Sequence, residues 1–188
     1  MTITFPRMKS KRILVPSLLL AAVLGLTAAT APRVSRGTLA AMEKSLDERI
    51  VKLWSDNPYL LLGTTRGVYL EGYGAVFTAE VNLMANPSSL MHAALSKDEI
   101  AAYHKKKLER VPVLKKALRD ALVSTASSLD TVPPEDQVII VAFLDHYPWE
   151  DLSGLPAQLT FQGQKKKLLE AQGAGGAGLD AVIRVTEN

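Results

Sequence analysis

Asp145, His146, Glu150 and Asp151 crowd one short stretch, Leu144 to Leu155, together with Tyr147 and Trp149. An imidazole among carboxylates can do two kinds of chemistry. A carboxylate that orients His146 makes it a general base, as a small hydrolase would need. The same imidazole, with Asp145, Glu150 and Asp151, can supply nitrogen and oxygen ligands to a divalent cation. Neither mechanism comes with its usual companions: there is no Gly-x-Ser-x-Gly elbow, no His-Glu-x-x-His pair and no EF-hand loop. The chain has three histidines and no cysteine, so thiol catalysis and Cys-ligated metals are excluded. The plainer reading of the stretch is a solvated loop held down by Tyr147 and Trp149. On that reading no catalytic residue, metal ligand or cofactor is expected.

A second candidate is a recognition surface. Gly63-Thr64-Thr65-Arg66-Gly67 is followed by Tyr69, Glu71, Tyr73 and Gly74. Glycines let a backbone approach closely, an arginine can grip a carboxylate or phosphate, and exposed tyrosines suit a protein interface. Arg66, Tyr69, Glu71 and Tyr73 are therefore the expected binding residues, although hairpin geometry accounts for the glycines equally well.

Other motifs carry less. Gly173 to Gly178 spells G-x-G-x-x-G, but a Lys-rich helix precedes it and a strand is expected after it, the reverse of a dinucleotide site, so it reads as a connector. Lys105 to Lys107 and Lys165 to Lys167 fan around a helix rather than forming one basic face, and read as solvated. His92 and His104 have no acidic or His neighbour at a ligand spacing.

The elements that must position these residues follow from periodicity. Leu39, Met42, Leu46, Ile50 and Leu53 recur at three- and four-residue steps, an amphipathic helix ending near Ser55, before Asn57-Pro58. Its stripe is expected to pack on the rest of the domain. From Tyr59 to Met84 the texture turns to strands, with Phe77, Ala79, Val81 and Leu83 alternating against Thr78, Glu80 and Asn82, and a hairpin about Gly72-Tyr73-Gly74. Asn86-Pro87-Ser88-Ser89 closes it. Ser96-Lys97-Asp98-Glu99 is a capping box opening a helical region whose face continues through Val111, Leu114, Leu118 and Leu122, with two helices or one kink expected at Pro112. Gln137 to Leu144 predicts a central strand covered on both faces. Ala157 to Gln162 reads as a short strand, or as the first turns of a longer helix, Lys165 to Gln172 as a short helix, and Leu179 to Thr186 as the last strand.

At the other end, Arg7, Lys9, Lys11 and Arg12 precede an apolar run from Ile13 to Leu26 and the small residues Thr27 to Ala31. That order predicts a secretory leader helix over 1–31, cut after Ala29 or Ala31, with an uncleaved anchor as the alternative. Its four basic residues carry the charge balance. The whole chain has 22 Lys and Arg against 19 Asp and Glu; without the leader's four, 18 remain against 19. The basic surface that nucleic acid would require therefore lapses, and no nucleic-acid partner is expected. A membrane would be met only through an uncleaved leader.

Together these readings predict an α+β protein: a leader at 1–31, an amphipathic helix and linker at 32–58, and a small α+β domain at 59–188, with a mixed, mostly antiparallel sheet and helices on one face. The expected location is periplasmic or secreted. The expected function is a non-catalytic binding or structural module of the cell envelope, contacting a protein or envelope component through the Gly/Tyr-rich hairpin. A small periplasmic hydrolase or metal-dependent enzyme at Asp145 to Asp151 is the alternative.

Overall fold

A computed structural model describes Thr2 and residues 34–54, 59–85, 95–175 and 178–188. The leader with its two candidate cleavage sites, Asn57-Pro58, Asn86 to Ser89, His92, Gly176 and Ala177 lie outside the described residues.

The first helix, α1 (Arg36–Val51), is started by Ser35, whose hydroxyl accepts from the Thr38 amide at 3.0 Å. Its predicted stripe is the face it buries: Leu39, Leu46 and Ile50 enter the core, with Met42 and Leu53 packed against it. Two short strands follow, β1 (Leu60–Leu61) and β2 (Arg66–Leu70), both pairing antiparallel with the same edge of β3 (Gly74–Asn82). Between β1 and β2 the chain swells outward, and the buried Thr65 there donates both its amide (2.9 Å) and its hydroxyl (2.6 Å) to Asp47 on α1. At Gly67 the amide donates to Glu43 Oε1 (2.6 Å) and the carbonyl accepts from Arg36 (3.1 Å), so α1 hydrogen-bonds the sheet's outer edge where another strand would otherwise pair. A Cβ at Gly67 would lie 2.7 Å from the Phe77 ring, so only glycine allows that approach. Burial pulls the Glu43 carboxyl upward, but the hydrogen bonds from Arg36 and Gly67 outweigh it and hold the group below its ordinary range.

The long helix α2 (Lys97–Ser128) opens with the predicted capping box between Ser96 and Glu99. It runs as one helix through Pro112, so of the two alternatives expected there the division into two helices is not met. Pro112 and Leu108, whose carbonyl loses its helical donor, are both exposed, so this turn lies on the solvent side of the helix. Helix α2 carries the chain across to β4 (Gln137–Leu144), which pairs parallel with β3; β5 (Gln158–Gln164) and β6 (Arg184–Glu187) then add antiparallel. The sheet has six strands, with β4 central as predicted. Gln158 to Gln164 is a strand rather than the start of a helix, and α3 (Lys165–Gly173) follows it directly. The expected last strand is shorter than its apolar pattern implied: Gly178, at φ +84°, starts a one-turn helix α4 (Leu179–Val182) that drops Leu179 into the core.

Helices and sheet share one core. The sheet contributes Ala75, Phe77, Ala79 and Val81 of β3, Val138, Ile140, Ala142 and Leu144 of β4, and Leu159 and Phe161 of β5, the residues of a single face. They meet Leu114, Leu118 and Leu122 of α2 and Leu168 of α3. On the opposite face, too, the middle of β4 is buried, as expected of a strand covered on both sides. There Ile139 and Val141 are buried, Phe143 at the strand's end is 42% exposed, and none of the three joins the core cluster. The run QVIIVAFL has apolar residues on both faces, and among the described residues the core cluster shared with the helices takes in only one of them.

Candidate functional site

The stretch after β4 is a loop, and it is fastened rather than free. The Asp145 amide donates to the Val81 carbonyl (3.0 Å) and the Leu144 amide to Ala157 (2.9 Å), so the loop starts at the carboxyl ends of the parallel pair β3 and β4. Two rings hold it to α2: Trp149 meets Tyr103 edge to face at 5.0 Å and stacks on Tyr147 at 5.6 Å. Below them Glu150 turns inward. Its Oε2 accepts from Lys107 Nζ at 2.5 Å and its Oε1 from the Tyr147 amide at 2.8 Å, with both side chains of the ion pair at most 3% exposed. Lys107 also donates to the Asp145 carbonyl (3.2 Å) and sits 5.4 Å from the Tyr103 ring. Burial lowers the Lys107 ammonium from its ordinary range, and the Glu150 hydrogen bond opposes that.

The four candidate residues therefore part company. Glu150 is consumed by Lys107. Asp151 closes a local turn, accepting from the Ser153 hydroxyl (2.6 Å) and amide (2.9 Å), which hold its carboxyl below the ordinary range, while its carbonyl meets His104 Nδ1 at 2.8 Å. Asp145 and His146 are exposed at the mouth of a cavity of about 50 Å³, whose wall is Leu83, Leu144, Leu152, Leu155 and Pro156. That is room for a few waters or one small group. Among the described residues no carboxylate is hydrogen-bonded to His146, and no three His, Asp or Glu side chains converge as metal ligands. The buried polar floor is a neutralised pair and the mouth lacks an oriented base.

Lys107 is the residue that the sequence reading missed, since Lys105 to Lys107 and Lys165 to Lys167 were both expected to be solvated. Lys107 is 2% exposed, and Lys165 is buried with its ammonium donating to the carbonyls of Leu129 and Val132, each at 2.7 Å. The signal was present in the spacing. Tyr103, Lys107, Val111, Leu114 and Leu118 step by three and four along α2, and Lys165 stands three before Leu168. A lysine on an apolar stripe goes inward if it finds an anion or carbonyls there.

The hairpin residues also divide. Tyr69 points to the helices, packs against the core and donates to Asp136 Oδ2 at 2.8 Å; desolvation first, then that hydrogen bond, raises its hydroxyl's pKa. It is a structural residue. Glu71 and Tyr73 stand exposed in the three-residue turn between β2 and β3, where Gly72 has φ +74°. Arg66 is exposed on the uncovered sheet face, beside Val68 (49% exposed) and Leu70 (47%) on alternate positions of β2. Cross-strand pairing continues that face from Val68 through Val76 to Ile139, then to Gln162 and Arg184. Its β2 to β4 half carries Val68, Leu70, Val76, Ile139, Val141 and Phe143 with Arg66, Thr78, Glu80 and Gln137 among them, and its β5 to β6 half is polar.

No family model matches the chain, and neither a curated protein nor a solved structure shows significant similarity to it. Among the described residues no helix is long and apolar enough to cross a membrane.

Proposed function

We propose that this protein is an exported, non-catalytic binding module of the cell envelope, and that it engages its partner through the uncovered face of the sheet. The observation that carries the reading is the contrast between the two faces: the helices pack over one, while Val68, Leu70 and Phe143 stand open on the other. Contiguous exposed apolar side chains bordered by polar ones mark interaction surfaces. Arg66 lies within this surface and Tyr73 at its hairpin end, whereas Tyr69 supports it from behind. The loop from Asp145 to Asp151 supports catalysis less well, because Glu150 and Asp151 are committed to Lys107 and Ser153 and, among the described residues, no carboxylate is hydrogen-bonded to His146.

Export rests on the leader-like order of residues 1–31. Its expected result is a protein in the envelope or medium fraction whose mass lacks the first 29 or 31 residues; a cytoplasmic protein of full mass would overturn it. The contact face is tested by side-chain footprinting against an envelope extract, with Val68, Leu70 and Phe143 expected to become protected.

A further inference from the structure

At the pole opposite the Asp145 loop, where β4 and β6 begin and β5 ends, the polar half of the open face deepens into a groove of about 390 Å³. The groove is open rather than enclosed and its lining is mainly polar. Its lining is unusual in having three glutamines, Gln137, Gln162 and Gln164, with Lys167 and Arg184 and no carboxylate. The register explains how they meet. Gln137 lies directly opposite Gln164, and Gln162 directly opposite Arg184, so the four side chains form a contiguous patch across three strands.

Each glutamine amide offers two donors and an acceptor, the complement of a hydroxyl, which is both. Only part of that capacity is used internally. Gln162 reaches Gln137 Oε1 at 3.5 Å, the limit of a hydrogen bond, while Gln164 is held by Glu135 through the carboxylate (2.8 Å) and carbonyl (3.1 Å). Among the described residues neither Arg184 nor Lys167 has a carboxylate partner; the nearby acids are engaged, Glu135 by Gln164 and Lys166, and Asp180 by Arg119. An arginine fork and an ammonium thus stand over hydroxyl-matching amides, on a domain that is near neutral without its leader. The wall completed by Ala181 and Val182 is small and apolar.

We propose that this groove binds an acidic saccharide, a sugar whose carboxylate is gripped by Arg184 and Lys167 and whose ring hydroxyls pair with Gln137, Gln162 and Gln164. The inference deepens the envelope-binder reading and rests on it for the source of the ligand. Neutral sugars would leave the two cations unused, and a plain polyanion would leave the amides unused.

The test uses the mature protein and three probes, followed by calorimetry and by amide chemical shifts: digalacturonic acid, its methyl ester, and tricarballylate. The acid is expected to bind, with shifts on β5, β6 and the start of α3, and the ester and tricarballylate each to bind at least about tenfold more weakly, the loss expected when a charge-assisted hydrogen bond is removed. Arg184→Gln should weaken the acid about tenfold or more, and Gln162→Leu should weaken it severalfold, each variant keeping the wild-type melting temperature because both residues lie on the sheet surface. The proposal is overturned if the acid fails to bind at 10 mM (about 3 kcal/mol by the affinity relation), if ester or tricarballylate binds as tightly as the acid, or if the shifts fall on the Asp145 to Leu155 pole. Val68→Asp separates the two ideas: it should abolish protection of the β2 to β4 half by the extract yet leave digalacturonate binding unchanged, so either reading can fail while the other stands.

Discussion

Truncating Lys107 to alanine is expected to destabilise the protein by about 3–5 kcal/mol, because it strands the Glu150 carboxylate in a buried site with one amide for company. Glu150→Ala should cost a similar amount, since it leaves an ammonium in a place where burial already disfavours the charge. The double replacement Lys107→Met, Glu150→Leu should recover most of the loss, as removing both charges removes the desolvation penalty along with the attraction. Urea unfolding of the wild type, Lys107→Met, Glu150→Leu and the double variant gives the cycle. Near-additive losses would mean that the two groups do not interact as the 2.5 Å contact requires. Retained partner binding by the double variant would further show that the pair serves the loop's architecture.

Gly74→Ala should be nearly as damaging, for a reason of backbone rather than charge. Gly74 has φ +145°, and a Cβ there would fall 2.0 Å from the Gln137 carbonyl oxygen, at the start of the parallel pairing of β3 with β4. The side chain cannot fit unless β3 and β4 separate, which sets strain and overpacking in one place, for a loss of about 3 kcal/mol or more. Gly72→Ala is the control, two residues away in the same turn. Its φ of +74° is also left-handed, but a Cβ meets nothing within 4 Å, so the cost should stay near 1–2 kcal/mol. Equal losses at the two positions would refute the close-approach argument.

The parts of this fold governed by one-dimensional periodicity were legible in the sequence. The α1 stripe, the alternation through β3, the Ser96 capping box and the limits of β4 follow from the identities of neighbouring residues alone. What was illegible depended on what lay opposite. Pro112 removes a helical donor, yet it sits on the exposed side of one continuous helix, which residue identity alone does not tell. Lys107 and Lys165 each stand in a run of three lysines, but position on the helix face decides burial, and the partners that make it tolerable are distant in sequence, Glu150 for Lys107 and the Leu129 and Val132 carbonyls for Lys165. Likewise the acids near His146 looked convergent in sequence, yet Glu150 and Asp151 turn to different partners in space. Of the hairpin residues, alternation along β2 separates Tyr69, which faces the core, from Arg66 and Val68, which do not. The polar groove had no local signature at all, since Gln137, Gln162 and Arg184 meet only through strand pairing.

The central claim is that the uncovered sheet face, and not the loop after β4, meets the partner. Hydroxyl-radical footprinting of the mature protein, free and in an envelope extract, measures this residue by residue. The expected result is protection of Val68, Leu70 and Phe143, with Tyr147, Trp149 and His146 as reactive as in the free protein. Protection confined to Tyr147, Trp149 and His146, with Val68, Leu70 and Phe143 unchanged, would contradict the account and return the site to the Asp145 loop.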